Sequence, residues 1–169
     1  MNNYMKIAFD EAMKNPLSSP ICRTGGPFGA VIVGADGEFF VTRNEVKKEQ
    51  DPTAHAEIVA IRKVAKEKGM GYLKKCVLYC TCYPCPMCLG AIKWAGIPKV
   101  YYGSKPTDAR DSEFELNDLD DVPSYALIMR EANKFGITSE EIPSICIEEL
   151  DRDECIKLFT AWVKREKKT

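Results

Sequence analysis

The sequence predicts an α/β fold, in which short buried strands alternate with amphipathic helices. Two observations in the middle of the chain indicate this class. Apolar runs rich in β-branched residues recur, and stretches with apolar residues at helical spacing separate them. A strand, helix, strand, helix, strand order requires crossover connections and therefore predicts parallel strand pairs.

Length and composition are those of one globular domain covering residues 1–169. The chain has 169 residues, of which 45% are hydrophobic and 29% are charged, so it can bury a single core. A formal net charge of -1 predicts neither a nucleic-acid partner nor an anionic membrane partner. Apolar runs stay well below the roughly 18 residues of a membrane span, and the first residues lack the apolar stretch of a signal peptide. We therefore expect a cytoplasmic protein.

The N-terminal third is expected to hold a helix and a hairpin. Apolar spacing predicts an amphipathic helix over residues 3–14, ended by Asn15-Pro16. Strands are predicted over residues 30–33 and 39–42, with Asp36-Gly37 as the turn between them. These two strands should pair in antiparallel orientation.

The remaining elements follow from caps, breakers and apolar spacing. With Asp51 as N-cap and Pro52 at the first helical position, a helix is expected to run to Lys68. The later predictions are strands over 77–79, 100–102 and 144–147, and helices over 86–95, from Asp121-Val122-Pro123, and around Cys155 to Trp162. Residues 104–121 are polar without a clear period, and a loop of that length is expected to border the functional site.

The cysteines are concentrated in one short segment. Of 8 in the chain, four lie in Cys80-Thr81-Cys82-Tyr83-Pro84-Cys85-Pro86-Met87-Cys88. A tight cluster favours a metal or redox site over a disulfide framework. An iron–sulfur run would need a further cysteine where Ile92 stands. A structural zinc site with Cys80 or Cys82 as fourth ligand is an open alternative.

The single histidine of the chain lies in a second informative segment, His55-Ala56-Glu57. His-x-Glu followed by Pro-Cys-x-x-Cys is the signature of zinc-dependent nucleobase deaminases. One imidazole and two thiolates can hold Zn²⁺ and leave its fourth position open for a water, whose pKa then falls towards ~7. Glu57 could take the proton of that water and deliver it to a ring nitrogen and to the departing amine.

The two segments are each expected at the start of a helix. His55 would lie in the first turns of one helix, and Cys85 to Cys88 would open another, where the helix N-terminus stabilises thiolates. Two helix starts would then meet at one metal ion. Residues two apart on an ideal helix diverge by about 200°, so only the signature indicates that both His55 and Glu57 reach the metal.

Taken with their flanks, these motifs resemble the cytidine deaminase-like superfamily, and within it the guanine deaminase and related nucleoside deaminase branch. The resemblance covers most of the chain. Its segments are Gly25 to Val31, Asn44, Asp51 to Glu57, Cys82 to Ile92, and Thr107 to Ala109. It implies a three-layer α/β/α sandwich with a five-stranded mixed sheet, and a homodimer with its sites near the interface.

The resemblance also implies residue roles. His55, Cys85 and Cys88 would be the zinc ligands, and Glu57 would be the proton shuttle. Asn44 would hydrogen-bond the base, and the Ala56 N–H would meet a ring carbonyl or nitrogen. Phe28 would either form a wall of the pocket or belong to the core.

Two departures from the family pattern bear on the substrate. Tyr83 stands where relatives usually carry an acidic residue, and Phe114-Glu115-Leu116 replaces a Phe-Asp-Asp stretch of the guanine branch. The leading hypothesis is zinc-dependent hydrolytic deamination of a small-molecule nucleobase or nucleoside, guanine above all, to xanthine and ammonia. The alternatives are a cytosine or other nucleoside deaminase, a tRNA adenosine deaminase, and a non-enzymatic structural zinc module. The first of these is suggested by the last helix, which carries Cys155 and is similar to that of cytosine deaminases.

Overall fold

A computed structural model of the chain describes residues 1–19, 21–114, 134 and 145–167. These residues form one sheet with the order β2-β1-β3-β4-β5. Its strands are β1 Gly29–Val33, β2 Phe39–Arg43, β3 Val77–Cys82, β4 Lys99–Ser104 and β5 Cys146–Glu149. Strand β1 pairs antiparallel with β2 and with β3, whereas β3–β4 and β4–β5 are parallel. The sheet is therefore mixed, and its parallel pairs lie in the half formed by β3, β4 and β5.

The helices of the described residues precede, connect and follow these strands. They are α1 Asn3–Leu17, α2 Val46–Glu49, α3 Ala56–Lys68, α4 Met70–Leu73, α5 Pro86–Ala95, α6 Pro106–Asp111 and α7 Arg152–Glu166. Within the ranges described, no helix is long and apolar enough to cross a membrane.

The helices lie on both faces of the sheet, and the alternation of side chains along β1 shows how. Ala30 and Ile32 face the core shared with α3 and α5. Val31 and Val33 face the other way and pack with Ala8 of α1. Helix α7 lies beside α1 and against β4. The expected three-layer α/β/α sandwich with a five-stranded mixed sheet is confirmed.

One helix start differs from the prediction in a way that matters for the site. Asp51 does not cap α3; its Oδ1 accepts from the N–H and hydroxyl of Thr53, at 2.8 and 2.7 Å. A short polar side chain that bonds its own neighbours favours a turn over a helix. These bonds, with one from Arg62, lower the pKa of Asp51 to about 2. The helix begins instead at Ala56, with His55 as its N-cap.

Two further boundaries differ from the sequence predictions. Helix α1 passes Asn15-Pro16 and ends at Leu17, because the Ser18 N–H still donates to the Lys14 carbonyl at 3.0 Å. The stretch predicted as a loop from residue 104 contains α6, which Asp108 caps by accepting from the Lys105 N–H at 2.8 Å. Residues 115–121 of that loop and the start of the helix predicted from Asp121 lie outside the described residues.

Candidate functional site

Two helix N-termini meet at the centre of the candidate site. His55 is the N-cap of α3 and Cys85 is the N-cap of α5, with Cys88 in the first turn of that helix. The sulfurs of Cys85 and Cys88 lie 3.6 and 3.7 Å from His55 Nδ1. The cap position also explains how His55 shares a site with Glu57. Its backbone is extended, with φ -64° and ψ 156°, so the divergence expected for two helical residues does not apply.

The distances between these three ligand atoms suit a tetrahedral zinc ion. With zinc–sulfur bonds of about 2.3 Å and zinc–nitrogen bonds of about 2.05 Å, tetrahedral angles place sulfur and nitrogen about 3.6 Å apart. The observed separations agree with that value, and all three ligand atoms lie within 4.8 Å of one another. Neither Cys80 nor Cys82 joins this grouping among the residues described. Three protein ligands with a position left open are typical of catalytic zinc rather than of a closed structural site.

The two thiols are arranged so that a cation is needed to ionise both. Hydrogen bonding from Cys88, together with the His55 ring, lowers the pKa of Cys85 to about 4. The same hydrogen bond, burial and the nearby Glu57 carboxyl raise the pKa of Cys88. Two adjacent buried thiolates repel each other unless positive charge lies between them. The donor set therefore fits a divalent metal ion that binds thiolate and imidazole.

Glu57 is buried in the first turn of α3, beside the metal-binding atoms. Burial raises the pKa of its carboxyl, and the charge of His55 opposes that effect. The carboxyl lies close enough to Cys85 and Cys88 for both to influence its pKa. A carboxyl whose pKa is raised holds a proton more readily than an exposed one, which suits a group that takes up and releases protons.

Asn44 and Ala56 lie on neighbouring elements next to this centre. Asn44 directly follows β2, and the Thr42 hydroxyl two residues earlier donates to the Ala56 carbonyl at 2.8 Å. The Glu45 N–H donates to the Ala54 carbonyl at 3.0 Å. These bonds join the end of β2 to the segment that carries His55. The N–H of Ala56 belongs to the first turn of α3, whose N–H groups have no partner within the helix.

An aromatic cluster forms around Phe28, the residue directly before β1. Phe28 packs against Phe114 and Phe159 with ring centroids 6.0 Å from each, and Phe114 contacts Trp162 at 5.8 Å. Phe28 also packs against the main core, as the core alternative from sequence expects, and its role as a pocket wall stays a prediction. Phe114, from the stretch predicted as the 104–121 loop, belongs to this cluster, and the expectation that the loop borders the functional site stays a prediction. Tyr83, by contrast, packs edge-on against Tyr102 at 4.9 Å.

Several residues that hold this region together gave no recognisable sequence pattern. Asn15 was interpreted only as a helix end, yet it is buried and makes four hydrogen bonds. Arg23 stacks on Trp162, 4.3 Å from the ring centroid, and pairs with Glu166. Buried polar residues of this kind are visible only when the fold brings their partners together, although an asparagine before a proline inside a helical pattern is a weak clue.

Comparisons with known proteins agree with the site. Residues 1–104 match the family model of the cytidine and deoxycytidylate deaminase zinc-binding region. A guanine deaminase of Bacillus subtilis is 50% identical over 91 residues, which are 54% of this chain and 58% of that protein. A tRNA-specific adenosine deaminase of Aquifex aeolicus is 34% identical over 101 residues, 60% of this chain and 64% of that protein. The chain thus matches less than two thirds of the length of either relative.

A solved structure extends the likeness over nearly the whole chain. The X-ray structure of guanine deaminase from Bacillus subtilis is 37% identical, with a TM-score of 0.60, and the match covers 97% of this chain and 95% of that one. The family match includes His55, Glu57, Cys85 and Cys88 within residues 1–104. The chain therefore belongs to the zinc-binding cytidine and deoxycytidylate deaminase family.

Proposed function

We propose that this protein is a zinc-dependent hydrolase that converts guanine and water to xanthine and ammonia. The observation that carries the proposal is the joint placement of His55 Nδ1, two cysteine sulfurs and the buried Glu57 carboxyl. The choice of guanine is supported by the 50% identity with a guanine deaminase.

The metal-binding roles go to His55 Nδ1, Cys85 Sγ and Cys88 Sγ. Zinc bound there would supply the charge that lowers the pKa of water towards ~7, so that hydroxide is available at neutral pH. Cys85 and Cys88 lie at the N-terminus of α5, whose positive end stabilises ionised sulfurs. The protein thus fixes three ligands before any substrate arrives.

Glu57 moves the protons of the reaction. Its carboxylate oxygen takes a proton from water and gives it to a ring nitrogen of guanine. It then takes the remaining proton of the hydroxyl that has added to the ring carbon and transfers it to the departing amine. A carbon–oxygen bond forms at the ring carbon and the carbon–nitrogen bond to the amine breaks, so the products are xanthine and ammonia. One carboxyl performs all of these transfers because its pKa is raised by burial.

Asn44 and Ala56 bind the base in this proposal. The side-chain amide of Asn44 donates a hydrogen bond to the ring system, and the Ala56 N–H donates another to a ring carbonyl or nitrogen. Phe28 contributes an apolar wall, since planar bases pack well against aromatic rings. These contacts hold the reacting carbon beside Glu57.

A tRNA adenosine deaminase is the second candidate, favoured by the 34% identity with such an enzyme. A formal net charge of -1 predicts no broad basic field of the kind that favours tRNA binding. We therefore rank a free base above tRNA. Binding of a tRNA anticodon stem-loop that weakens steeply as salt is raised would reverse this ranking.

Ammonia release from a panel of substrates tests the proposal. Purified zinc-loaded protein is assayed with guanine, guanosine, adenine, adenosine, cytosine and cytidine, with zinc-stripped protein as the blank. We expect turnover of guanine that disappears in the blank. Turnover of another base alone would overturn guanine as the substrate and leave the deaminase in place, whereas no ammonia from any substrate would contradict the proposal.

Zinc removal also separates an enzyme from a structural zinc module. A structural module unfolds when its metal is taken away. In the deaminase, the sheet core around Ile32, Leu78 and Val100 is buried independently of the metal ligands. Far-ultraviolet circular dichroism of the stripped protein should therefore stay native while turnover is lost.

The single domain over residues 1–169, the homodimer and the cytoplasmic location stay predictions. Light scattering on the purified protein measures the mass in solution and so tests the dimer. A mass of about 38 kDa, twice the 19.0 kDa of one chain, would support it.

A further inference from the structure

Asn15 is a buried amide whose hydrogen-bonding capacity is fully used. It lies in the last turn of α1 and its side chain is 1% exposed. Its Nδ2 donates to the Gly26 carbonyl at 2.8 Å and to the Asn44 carbonyl at 3.2 Å. Its Oδ1 accepts from the Thr24 N–H at 3.1 Å and from the Thr24 hydroxyl at 2.9 Å. An amide has two donors and two acceptor positions, so none is left unused.

The partners of Asn15 are the groups that surround Asn44. The Thr24 hydroxyl also lies 2.7 Å from the Asn44 carbonyl, so its single proton is shared between that oxygen and Asn15 Oδ1. The Gly26 N–H donates to Asn44 Oδ1 at 3.2 Å. Asn15 therefore bonds to both ends of segment 24–26, which packs around Asn44. A β-carbon at Gly25, in the middle of this segment, would lie 1.8 Å from Asn44 Oδ1. The segment and the Asn44 side chain are thus fitted closely to each other.

This network fixes which end of the Asn44 amide is available. Asn44 Oδ1 accepts two backbone hydrogen bonds, from Gly26 and from Val46, each at 3.2 Å. The orientation of an asparagine amide follows from such a network. Within the described part of the chain, Asn44 Nδ2 has no acceptor. The oxygen end is therefore held by the protein and the donor end is left for a ligand.

We infer that Asn15 is a positioning residue that fixes the amide orientation of Asn44 and thereby selects a base with a hydrogen-bond acceptor at that position. This inference rests on the proposed function, in which Asn44 contacts the base. Guanine carries a carbonyl oxygen on the six-membered ring, whereas 2,6-diaminopurine carries an amino donor in its place. A fixed donor on Asn44 favours the first, and an amide free to turn over loses that preference.

The Asn15→Asp variant tests this inference with little change in shape. The carboxylate can still accept from Thr24, but it has no donor for the Gly26 and Asn44 carbonyls. We expect KM for guanine to rise about tenfold, the loss that corresponds to about one hydrogen bond. The guanine to 2,6-diaminopurine ratio of kcat/KM should fall by a similar factor. Zinc content should stay at the wild-type level, because no metal ligand is changed.

Met5→Ala is the matched control for lost stability. Met5 is buried at the other end of α1 and touches none of the Asn44 network. This variant should lower the Tm and leave KM and the substrate ratio at wild-type values. If Asn15→Asp behaves in the same way, with a lower Tm and unchanged KM and ratio, Asn15 is only structural and the inference is wrong.

Hydrogen exchange of the Gly26 N–H provides a readout that needs no substrate. In the wild type this group donates to Asn44 Oδ1 and should be protected. Protection should be lost in Asn15→Asp and kept in Met5→Ala. If the wild type turns over no base, the proposed function fails, and loss of Gly26 protection still supports Asn15 as the residue that holds Asn44. Unchanged protection in Asn15→Asp overturns the inference whatever the activity.

Discussion

The metal end of the candidate site and its proposed base end, the region around Asn44 and Phe28, are built in different ways. The metal end comes from two short segments, residues 55–57 and 85–88, each at the start of a helix. The base end is assembled from α1, the segment before β1, the end of β2, the residues after α6, and α7. Reactive chemistry limits the residue types at the first end. At the base end, residues such as Asn15 and Phe28 are of types that also occur in ordinary helix ends and cores. Only their tertiary contacts indicate a part in the site.

The largest effect should follow removal of one metal-binding sulfur. Cys88→Ser replaces a thiolate with a hydroxyl that binds zinc poorly, so zinc content should fall below one ion per chain and turnover should drop on the order of 10³-fold or more. Zinc analysis and ammonia release measure the two effects.

Cys82→Ser is the matched control for that variant. Cys82 lies in the same cysteine-rich segment but outside the grouping of His55, Cys85 and Cys88. We expect its zinc content to equal that of the wild type. Loss of zinc in Cys82→Ser would identify a fourth protein ligand, and the site would then be a closed structural one.

The next largest effect should come from the proton-transfer group. Glu57→Gln keeps the size of the side chain but cannot accept a proton, so turnover should fall by about 10²- to 10⁴-fold while zinc stays bound. Ammonia release normalised to zinc content is the measurement. Turnover near the wild-type level with full zinc occupancy would contradict the role given to Glu57.

The sequence was sufficient for the metal end because its residues are close together along the chain. The Pro-Cys-x-x-Cys run and the sole histidine indicate zinc without knowledge of the fold, and the helix that opens at Pro86 was predicted correctly. The N-cap of α3, by contrast, was predicted wrongly, because it is His55 rather than Asp51. Aspartate is a residue type favoured at N-caps. The local bonds of Asp51 to Thr53 compete with helix formation, and residue preferences alone do not reveal them.

The base end could be predicted only in part, for a physical reason. Asn44 and Phe28 were predicted to contact the base by resemblance, and these roles stay predictions, whereas Asn15 was interpreted as a helix end. Its four hydrogen bonds join positions 9 to 29 residues away, and no periodicity or propensity encodes such partners. The same limit applies to α6, whose cap depends on Asp108 and on Arg152 from the last helix.

A smaller effect is expected from the aromatic wall of the base end. Phe28→Leu removes ring contacts with Phe114 and Phe159 and leaves the metal ligands untouched. We expect KM for guanine to rise about five- to tenfold, in line with about 1 kcal/mol for an aromatic contact. Steady-state kinetics with zinc analysis measure this.

Phe39→Leu provides the comparison for that variant. Phe39 is a half-exposed aromatic residue on β2, outside the cluster that contains Phe28. Its replacement should leave KM unchanged. Equal changes in both variants would mean that Phe28 acts through general stability and forms no part of the pocket.

The smallest effect concerns the scaffold of the base end and depends on pH. Asp108 is buried and accepts two hydrogen bonds from Arg152, at 2.6 and 2.9 Å, and these bonds lower its pKa below the ordinary 3.8. A depressed folded pKa means that the bonds stabilise the fold fully above about pH 4 and that this stability is lost as pH falls through the folded pKa.

Asp108→Asn should therefore lower the free energy of unfolding by about 1 kcal/mol at pH 7, a modest value because Arg152 is partly exposed to solvent. The difference from wild type should shrink as pH falls below about 4, since the wild-type carboxyl is then protonated as well. Urea unfolding at pH 7 and at acidic pH measures it. Asp111→Asn, in an exposed pair with Arg110, should show no such difference. A deficit in Asp108→Asn that persists at acidic pH would show that the lost stability does not come from the carboxylate charge, and the role given to the pair with Arg152 would then be wrong.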